Sequence, residues 1–294
     1  EGPQAHDLTR GLLTMRIHVN GVSLFFDTEG SSLEPRGSAL HERPTVLAIH
    51  GGPGVDHSMY RPTLSPLARV AQVIYLDLRG NGRSERSTPD RWNLATWADD
   101  VRAFCDALEI RKPVVLGTSF GGFVAQAYAT RFPEHPGKLI LCSTNPRFNL
   151  TRALAMFERL GGPEAATIAR RFFQDPTPEV FQRYVQICFP LYTRLPVQNP
   201  SPDPLIQLDV ARHFISGEWH TFDFTRELVR IRCPTLVLAG EHDPVLPFEG
   251  SEDLVAHLPP ERVRFERFPD CGHTLLAERP DRALAIIEEF LANG

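Results

Sequence analysis

Two rhythms of apolar and polar positions take turns along this chain. Met15–Val19 and Val22–Thr28 alternate like two strands, and the Asn20-Gly21 pair between them is a strong hairpin signal. Short apolar runs follow at Thr45–Ile49, Val73–Leu76, Pro113–Leu116, Lys138–Ser143 and Thr235–Ala239, with Arg264–Phe268 alternating at the end. Runs of this length, rich in Val, Ile and Leu, read as buried strands. Helical spacing separates them: Trp97, Val101, Phe104 and Leu108 recur on one face over 93–108, and Phe123–Ala129 is rich in helix formers. The alternation predicts an α/β fold with a mostly parallel sheet, helices on both faces and an antiparallel edge made by the N-terminal hairpin. The polar stretch from Gly30 to Pro44, containing Gly, Pro and Ser, is expected to be a loop.

The rhythm changes between about Asn145 and Val229. Arg152–Leu160, Glu164–Phe173, Pro178–Cys188 and Leu205–Ile215 read as helices, interrupted by Gly161-Gly162, by Asp175–Pro178 and by the Pro-rich Leu195–Pro204. No strand pattern intervenes, so an all-helical insert is expected between the sixth and seventh strands. It is rich in aromatic residues, among them Phe148, Phe157, Phe173, Tyr184 and Trp219. Most of these are needed for the insert's own core, since a small helical unit must bury large side chains to be stable. About a third are expected to roof a pocket, which would suit a compact, uncharged acyl group or a ring.

Chemistry concentrates just past the carboxyl ends of the expected strands, the edge where open α/β sheets bind ligands. Gly117-Thr118-Ser119-Phe120-Gly121 lies between a strand and a helix. A Gly-x-Ser-x-Gly in that context is the nucleophile-elbow pattern: the turn is so tight that bulky side chains two positions either side of Ser119 would collide. His50-Gly51-Gly52-Pro53-Gly54 follows another strand, and its backbone can aim an N–H at a developing oxyanion. Gly52 and Phe120 are the candidate donors, and His50 is expected to shape the loop. Asp243 and His273 each follow a further strand, and the order Ser119, Asp243, His273 is that of an acyl-transfer triad. Glu241 and Asp270 remain as competing carboxylates near the expected base.

With these residues in place, the chain resembles the proline iminopeptidase-like serine hydrolases of the α/β-hydrolase fold. The His50–Gly54 segment matches that family's oxyanion loop, and Asp77-Leu78-Arg79-Gly80-Asn81-Gly82-Arg83-Ser84 is similar to its Asp-x-Arg-Gly-x-Gly-x-Ser segment. The resemblance covers roughly residues 15–145 and 230–293. It implies a core of 15–144 and 230–294, an N-terminal tail over 1–14, and a helical cap over 145–229. It further implies a Ser-His-Asp mechanism through an acyl-enzyme, with no cofactor. In that family acidic cap residues hold the substrate's free amine. Glu218-Trp219-His220-Thr221-Phe222 is faintly similar to the corresponding Glu-Asn-His-Tyr-Phe, making Glu218, with Trp219 and Phe148, a candidate substrate contact. The flanks depart from the pattern, so the reading favours a carboxylesterase for small, largely apolar acyl esters. A proline iminopeptidase is the alternative, and a non-catalytic ligand-binding member of the fold is a remote third.

Composition narrows the partners. A net charge of −5 with dispersed arginines gives no basic face for nucleic acid. No apolar run reaches the ~18–20 residues of a membrane span. The five cysteines are odd in number and widely spaced, which argues against a disulfide framework and for a reducing, cytoplasmic setting. No pair has metal-ligand spacing, so no metal is expected, and Cys271 reads as a small apolar filler. The expected partner is a small ester or short peptide, with oligomeric state left open.

Overall fold

The computed structural model describes residues 15–197 and 203–293. The expected tail over 1–14 lies outside the described residues, as does the middle of the Pro-rich break, 198–202. Strands β1 (Met15–Val19) and β2 (Val22–Glu29) pair antiparallel, with Val19 opposite Val22. Asn20 and Gly21 both have positive φ, 47° and 70°, as a two-residue turn matching the strand twist requires.

The stretch expected to be a loop is instead partly ordered as a small hairpin, β3 (Leu33–Arg36) and β4 (Ala39–Glu42), which forms its own two-stranded sheet. Its strands are four residues long, half polar and interrupted by Pro35, and they bury no continuous face. Leu40 is 66% exposed. Backbone pairing alone marks these residues as strands, so no hydrophobic alternation announces them.

Strand and helix then alternate through β5 (Thr45–Ile49), α1 (Arg61–Leu64), β6 (Gln72–Leu76), α2 (Leu94–Ala107), β7 (Val114–Thr118), α3 (Phe120–Arg131) and β8 (Lys138–Cys142). Three helices come next: α4 (Leu150–Gln174), α5 (Pro178–Ile187) and α6 (Leu208–Ile215). The chain returns to the sheet with β9 (Thr235–Gly240), α7 (Phe248–His257), β10 (Val263–Phe268), α8 (Leu275–Glu278) and α9 (Pro280–Ala292). The main sheet runs β1-β2-β6-β5-β7-β8-β9-β10, and all pairings from β6 to β10 are parallel. The helical stretch thus leaves the sheet after its sixth strand and rejoins it at the seventh.

Side-chain parity sorts the core into two layers. Leu47, Ile49, Ile74, Leu76, Val115, Leu139, Leu141 and Val237 face one side, where α2, α3, α7 and the helices of 145–229 pack. Val46, Ala48, Val73, Tyr75, Leu116, Ile140, Leu236 and Leu238 face the other, against α1, α8 and α9. Because strand side chains alternate with period two, an uninterrupted apolar run is required to feed both layers. On α2 Trp97, Val101 and Phe104 of the predicted stripe are fully buried, while Leu108 lies just past the helix end and is half-buried; Asn93 caps the helix by accepting from the Thr96 N–H at 2.8 Å.

Within 145–229 the breaks fall where the sequence places them. Gly162, at φ 78°, interrupts α4 just before Pro163, dividing it into two helical halves. Pro178 opens α5 behind the Thr177 cap, whose hydroxyl accepts from the Val180 N–H at 3.3 Å. Helix α6 begins at Leu208, three residues later than the apolar pattern suggests, because Leu205 and Ile206 are exposed.

Candidate active site

Ser119 sits between β7 and α3 with φ 54° and ψ −122°, a conformation that costs a non-glycine residue about 1–3 kcal/mol. The surrounding packing enforces it. A Cβ on Gly117 would overlap the Gly121 carbonyl, and one on Gly121 would overlap the Ile49 carbonyl and stand 2.5 Å from that of His50. The serine's own carbonyl accepts from Thr144 Oγ1 at 2.9 Å, and its N–H donates to the Cys142 carbonyl at 3.0 Å. Ser119 is buried, and Phe120 begins the helix, where N–H groups have no partner in the helical ladder.

The loop after β5 passes directly over this turn: a Cβ on Gly51 would lie 3.5 Å from the Ser119 Cβ. Gly52 holds φ 108° and Gly54 φ 86°, backbone geometry that only glycine adopts freely. The Asp77–Ser84 segment braces this loop from below. Asp77 accepts from the His57 N–H at 2.9 Å, from His57 Nδ1 at 2.7 Å and from the Arg83 N–H at 2.9 Å, and Asn81 Oδ1 accepts from the Gly54 N–H at 2.7 Å. Burial alone would raise the Asp77 pKa, but the hydrogen bonds from the His57 side chain and the Arg83 N–H, with the electrostatic pull of the surrounding groups, outweigh it and hold the carboxyl below its ordinary range. The segment is itself anchored by a buried Arg79–Asp100 pair at 2.7 Å.

His50 lies wholly inside this arrangement. Its Nε2 accepts from the Leu78 N–H at 3.1 Å, and Nδ1 lies 2.7 Å from the Gly51 carbonyl, which assigns the proton to Nδ1. Burial pushes its pKa below the ordinary value of about 6.5. The folded state therefore keeps His50 neutral, whereas the unfolded chain protonates it. The stability it supplies is present above that ordinary value and is lost as pH falls below it. The expected result is a Tm that falls between about pH 7 and pH 5 in the parent protein. In His50→Gln, less stable at neutral pH, thermal scans should show a smaller fall.

Asp243 and His273 meet because β9 and β10 run parallel in register, Gly240 opposite Phe268, so the loops leaving both strands are neighbours. A Cβ on Gly240 would overlap the Gly272 carbonyl, so the two loops touch backbone to backbone. Asp243 Oδ2 accepts from His273 Nδ1 at 2.6 Å, while Oδ1 accepts from the Val245 and Leu246 N–H groups at 2.8 and 2.9 Å. Both side chains are buried. The competing carboxylates point elsewhere: Glu241 pairs with Arg267 at 3.0 Å and Asp270 with Arg279 at 3.3 Å. Cys271, buried two residues before His273, has its thiol pushed up to about 12 by burial, which makes it a poor nucleophile near neutral pH. All five cysteines are free and buried.

The candidate substrate contacts divide. Trp219 and Phe148 come together, ring centroids 5.1 Å apart, in an aromatic cluster with Phe173 and, through Trp219, with Phe123 one turn beyond Ser119 on α3. The Trp219 indole N–H is buried and has no hydrogen-bond partner among the described residues. Glu218 has a different partner: its Oε2 accepts from the Leu94 N–H at 2.8 Å, so the carboxylate caps the positive end of α2. Burial raises its pKa, opposed by that same hydrogen bond. Sequence reasoning could not see this, because Leu94 is 124 positions away.

Among the described residues no group of His, Cys, Asp or Glu is arranged to hold a metal ion, and no helix is long and apolar enough to cross a membrane.

Residues 44–280 match the family described as the alpha/beta hydrolase fold. The chain is 26% identical over 281 residues to the proline iminopeptidase PfmaB of Pestalotiopsis fici, covering 91% of this chain and 98% of that protein. It is 25% identical over 270 residues to the monoacylglycerol lipase ABHD6 of Mus musculus, covering 88% of this chain and 78% of the lipase. Among solved structures it is similar to a thermophilic esterase from Thermogutta terrifontis, with 27% identity, a TM-score of 0.66, and 95% and 97% of the two chains covered.

Proposed function

The chain belongs to the α/β-hydrolase fold family, and from that premise we propose that it is a serine hydrolase acting on small, largely apolar acyl esters. The observation that carries the reading is the 2.6 Å contact from His273 Nδ1 to Asp243 Oδ2, which holds the imidazole in one tautomer and leaves Nε2 to exchange a proton with Ser119. In the first half-reaction the Ser119 hydroxyl adds to the ester carbonyl as His273 takes its proton. The Gly52 and Phe120 N–H groups receive the oxyanion, and His273 then protonates the departing alcohol. In the second, water adds to the acyl-enzyme with His273 as base, and Ser119 leaves with the proton.

The choice of ester over prolyl amide rests on Glu218. An N-terminal proline arrives with a positive charge that needs a carboxylate partner, and one oxygen of Glu218 is already turned to the Leu94 N–H. Similarity to the Pestalotiopsis fici proline iminopeptidase keeps the prolyl reading as the alternative. Hydrolysis of p-nitrophenyl acetate, butyrate and octanoate, measured beside L-proline p-nitroanilide with Ser119→Ala as blank, separates them. Ester turnover without prolyl cleavage supports the proposal, and efficient prolyl cleavage replaces it with the alternative. No turnover on either, together with no labelling by a fluorophosphonate, would point to a ligand-binding protein. Glu218→Ala is expected to leave ester kcat/KM within about threefold while costing about 1 kcal/mol of stability, a Tm loss of roughly 2–4 °C, because only a helix cap is removed.

A further inference from the structure

One buried carboxylate has no part in the mechanism above. Glu278, the last residue of α8, is 2% exposed, and among the described residues no cationic side chain forms an ion pair with it. Four donors surround it. Oε1 accepts from the Gly272 N–H at 3.0 Å and from Thr274 Oγ1 at 3.0 Å. Oε2 accepts from the Arg194 N–H at 2.8 Å and the Leu195 N–H at 3.0 Å. A carboxylate has about four lone-pair sites, so this one is fully used.

What those donors belong to matters more than their number. Gly272 and Thr274 flank His273, while Arg194 and Leu195 lie within the helical insert, between α5 and α6. Three further contacts join the same two segments. The His273 N–H donates to the Tyr192 carbonyl at 2.7 Å, Thr193 Oγ1 and Thr274 Oγ1 lie 2.9 Å apart, and the Tyr192 ring stands edge-on to the imidazole with centroids 5.1 Å apart. Asp243 fixes one nitrogen of the ring, but the backbone that carries the ring is held by residues 192–195, and Glu278 is the group bonded to both.

We infer that Glu278 is a positioning residue for His273: its carboxylate bonds the base-bearing loop to residues 194–195, so that the insert takes part in aiming the imidazole at Ser119. The inference rests on the serine-hydrolase reading. Only a carboxylate meets the requirement. A glutamine at 278 has one oxygen and one NH2 group: facing residues 194–195 the NH2 opposes two backbone N–H donors, and facing the base-bearing loop it opposes the Gly272 N–H and makes the Thr274 hydroxyl turn from donor to acceptor. One half of the clamp opens and the other stays. A misplacement on the order of 1 Å at a catalytic group costs up to about a hundredfold in rate.

The test compares wild type, Glu278→Gln and Thr274→Val, the last losing one of the four bonds and one side of the Thr193 contact. With p-nitrophenyl butyrate, Glu278→Gln is expected to lower kcat 10- to 100-fold with KM changed less than threefold, and to displace the pH–rate profile of kcat. Thr274→Val should lower kcat less, by about two- to fivefold, with Tm unchanged. Amide hydrogen exchange in the Ser119→Ala background supplies a readout free of turnover: Glu278→Gln should speed exchange at His273, Arg194 and Leu195 without affecting β7. Unaltered kcat and pH profile in a folded Glu278→Gln protein would overturn the inference. So would a Thr274→Val protein with wild-type kcat, should Glu278→Gln fail to fold. Loss of the serine-hydrolase reading would look different, since wild type and Ser119→Ala would then turn over ester equally.

Discussion

Replacing Ser119 with alanine is expected to lower kcat for p-nitrophenyl butyrate by a factor on the order of 10⁴ to 10⁶, and His273→Ala by a similar factor. The double variant should be no worse than either single one, because in the proposed mechanism the two side chains perform one proton-coupled addition and neither retains a function once the other is gone. Asp243→Asn should cost on the order of 10³ to 10⁴ in kcat. The amide would present either an oxygen to His273 Nδ1, retaining orientation without charge, or an NH2, forcing the other tautomer. Either way the cation formed on His273 loses the partner now 2.6 Å away. With the NH2 toward His273 the Val245 and Leu246 N–H groups keep an acceptor, and with the oxygen toward His273 they would face the NH2 and lose it; the first orientation is therefore favoured, and Tm should fall by only a few degrees. Steady-state rates for the four proteins, corrected for the uncatalysed reaction, decide the matter. A Ser119→Ala protein retaining a tenth of the parent activity would mean that another group attacks the ester.

What the sequence makes legible is local. The strand, turn and helix around Ser119 follow from two glycines and two apolar runs. The candidate loops can be placed because each follows a buried strand. Distant partners are not legible in this way. That Asp243 meets His273 while Glu241 and Asp270 turn away to Arg267 and Arg279 depends on the register of β9 against β10. Glu218 looks like an anchor in a short motif, yet its hydrogen bond is to the first turn of α2. Glu278 gives no signal at all, since its donors are mostly backbone N–H groups and backbone N–H groups are the same in every sequence. The β3–β4 hairpin is hidden for the opposite reason: it buries almost nothing, so no pattern of side chains is needed to form it.

The tight packing around the elbow leads to the second large effect, and two glycines packed near Ser119, Gly121 on α3 and Gly51 in the loop after β5, test it. Gly121→Ala places a methyl group onto the Ile49 carbonyl and 2.5 Å from the His50 carbonyl. Neither can retreat easily: Ile49 ends a strand held between β6 and β7, and His50 is tied to Leu78. The strand and the helix must separate, which is expected to cost about 3 kcal/mol or more and to lower Tm by roughly 6–12 °C. The same movement carries the Phe120 N–H away from the oxyanion of the proposed mechanism, so kcat should fall further than stability alone explains. Gly51→Ala is the matched comparison. Its methyl group would find the Ser119 Cβ and the Thr118 carbonyl at 3.5 Å, ordinary contact distances, and its backbone is not left-handed. Thermal unfolding should therefore show Gly51→Ala within about 1 kcal/mol of the parent protein while Gly121→Ala drops steeply. Equal losses in the two variants would mean that the turn tolerates side chains, and that the strain at Ser119 is not imposed by the close approach of β5 to α3.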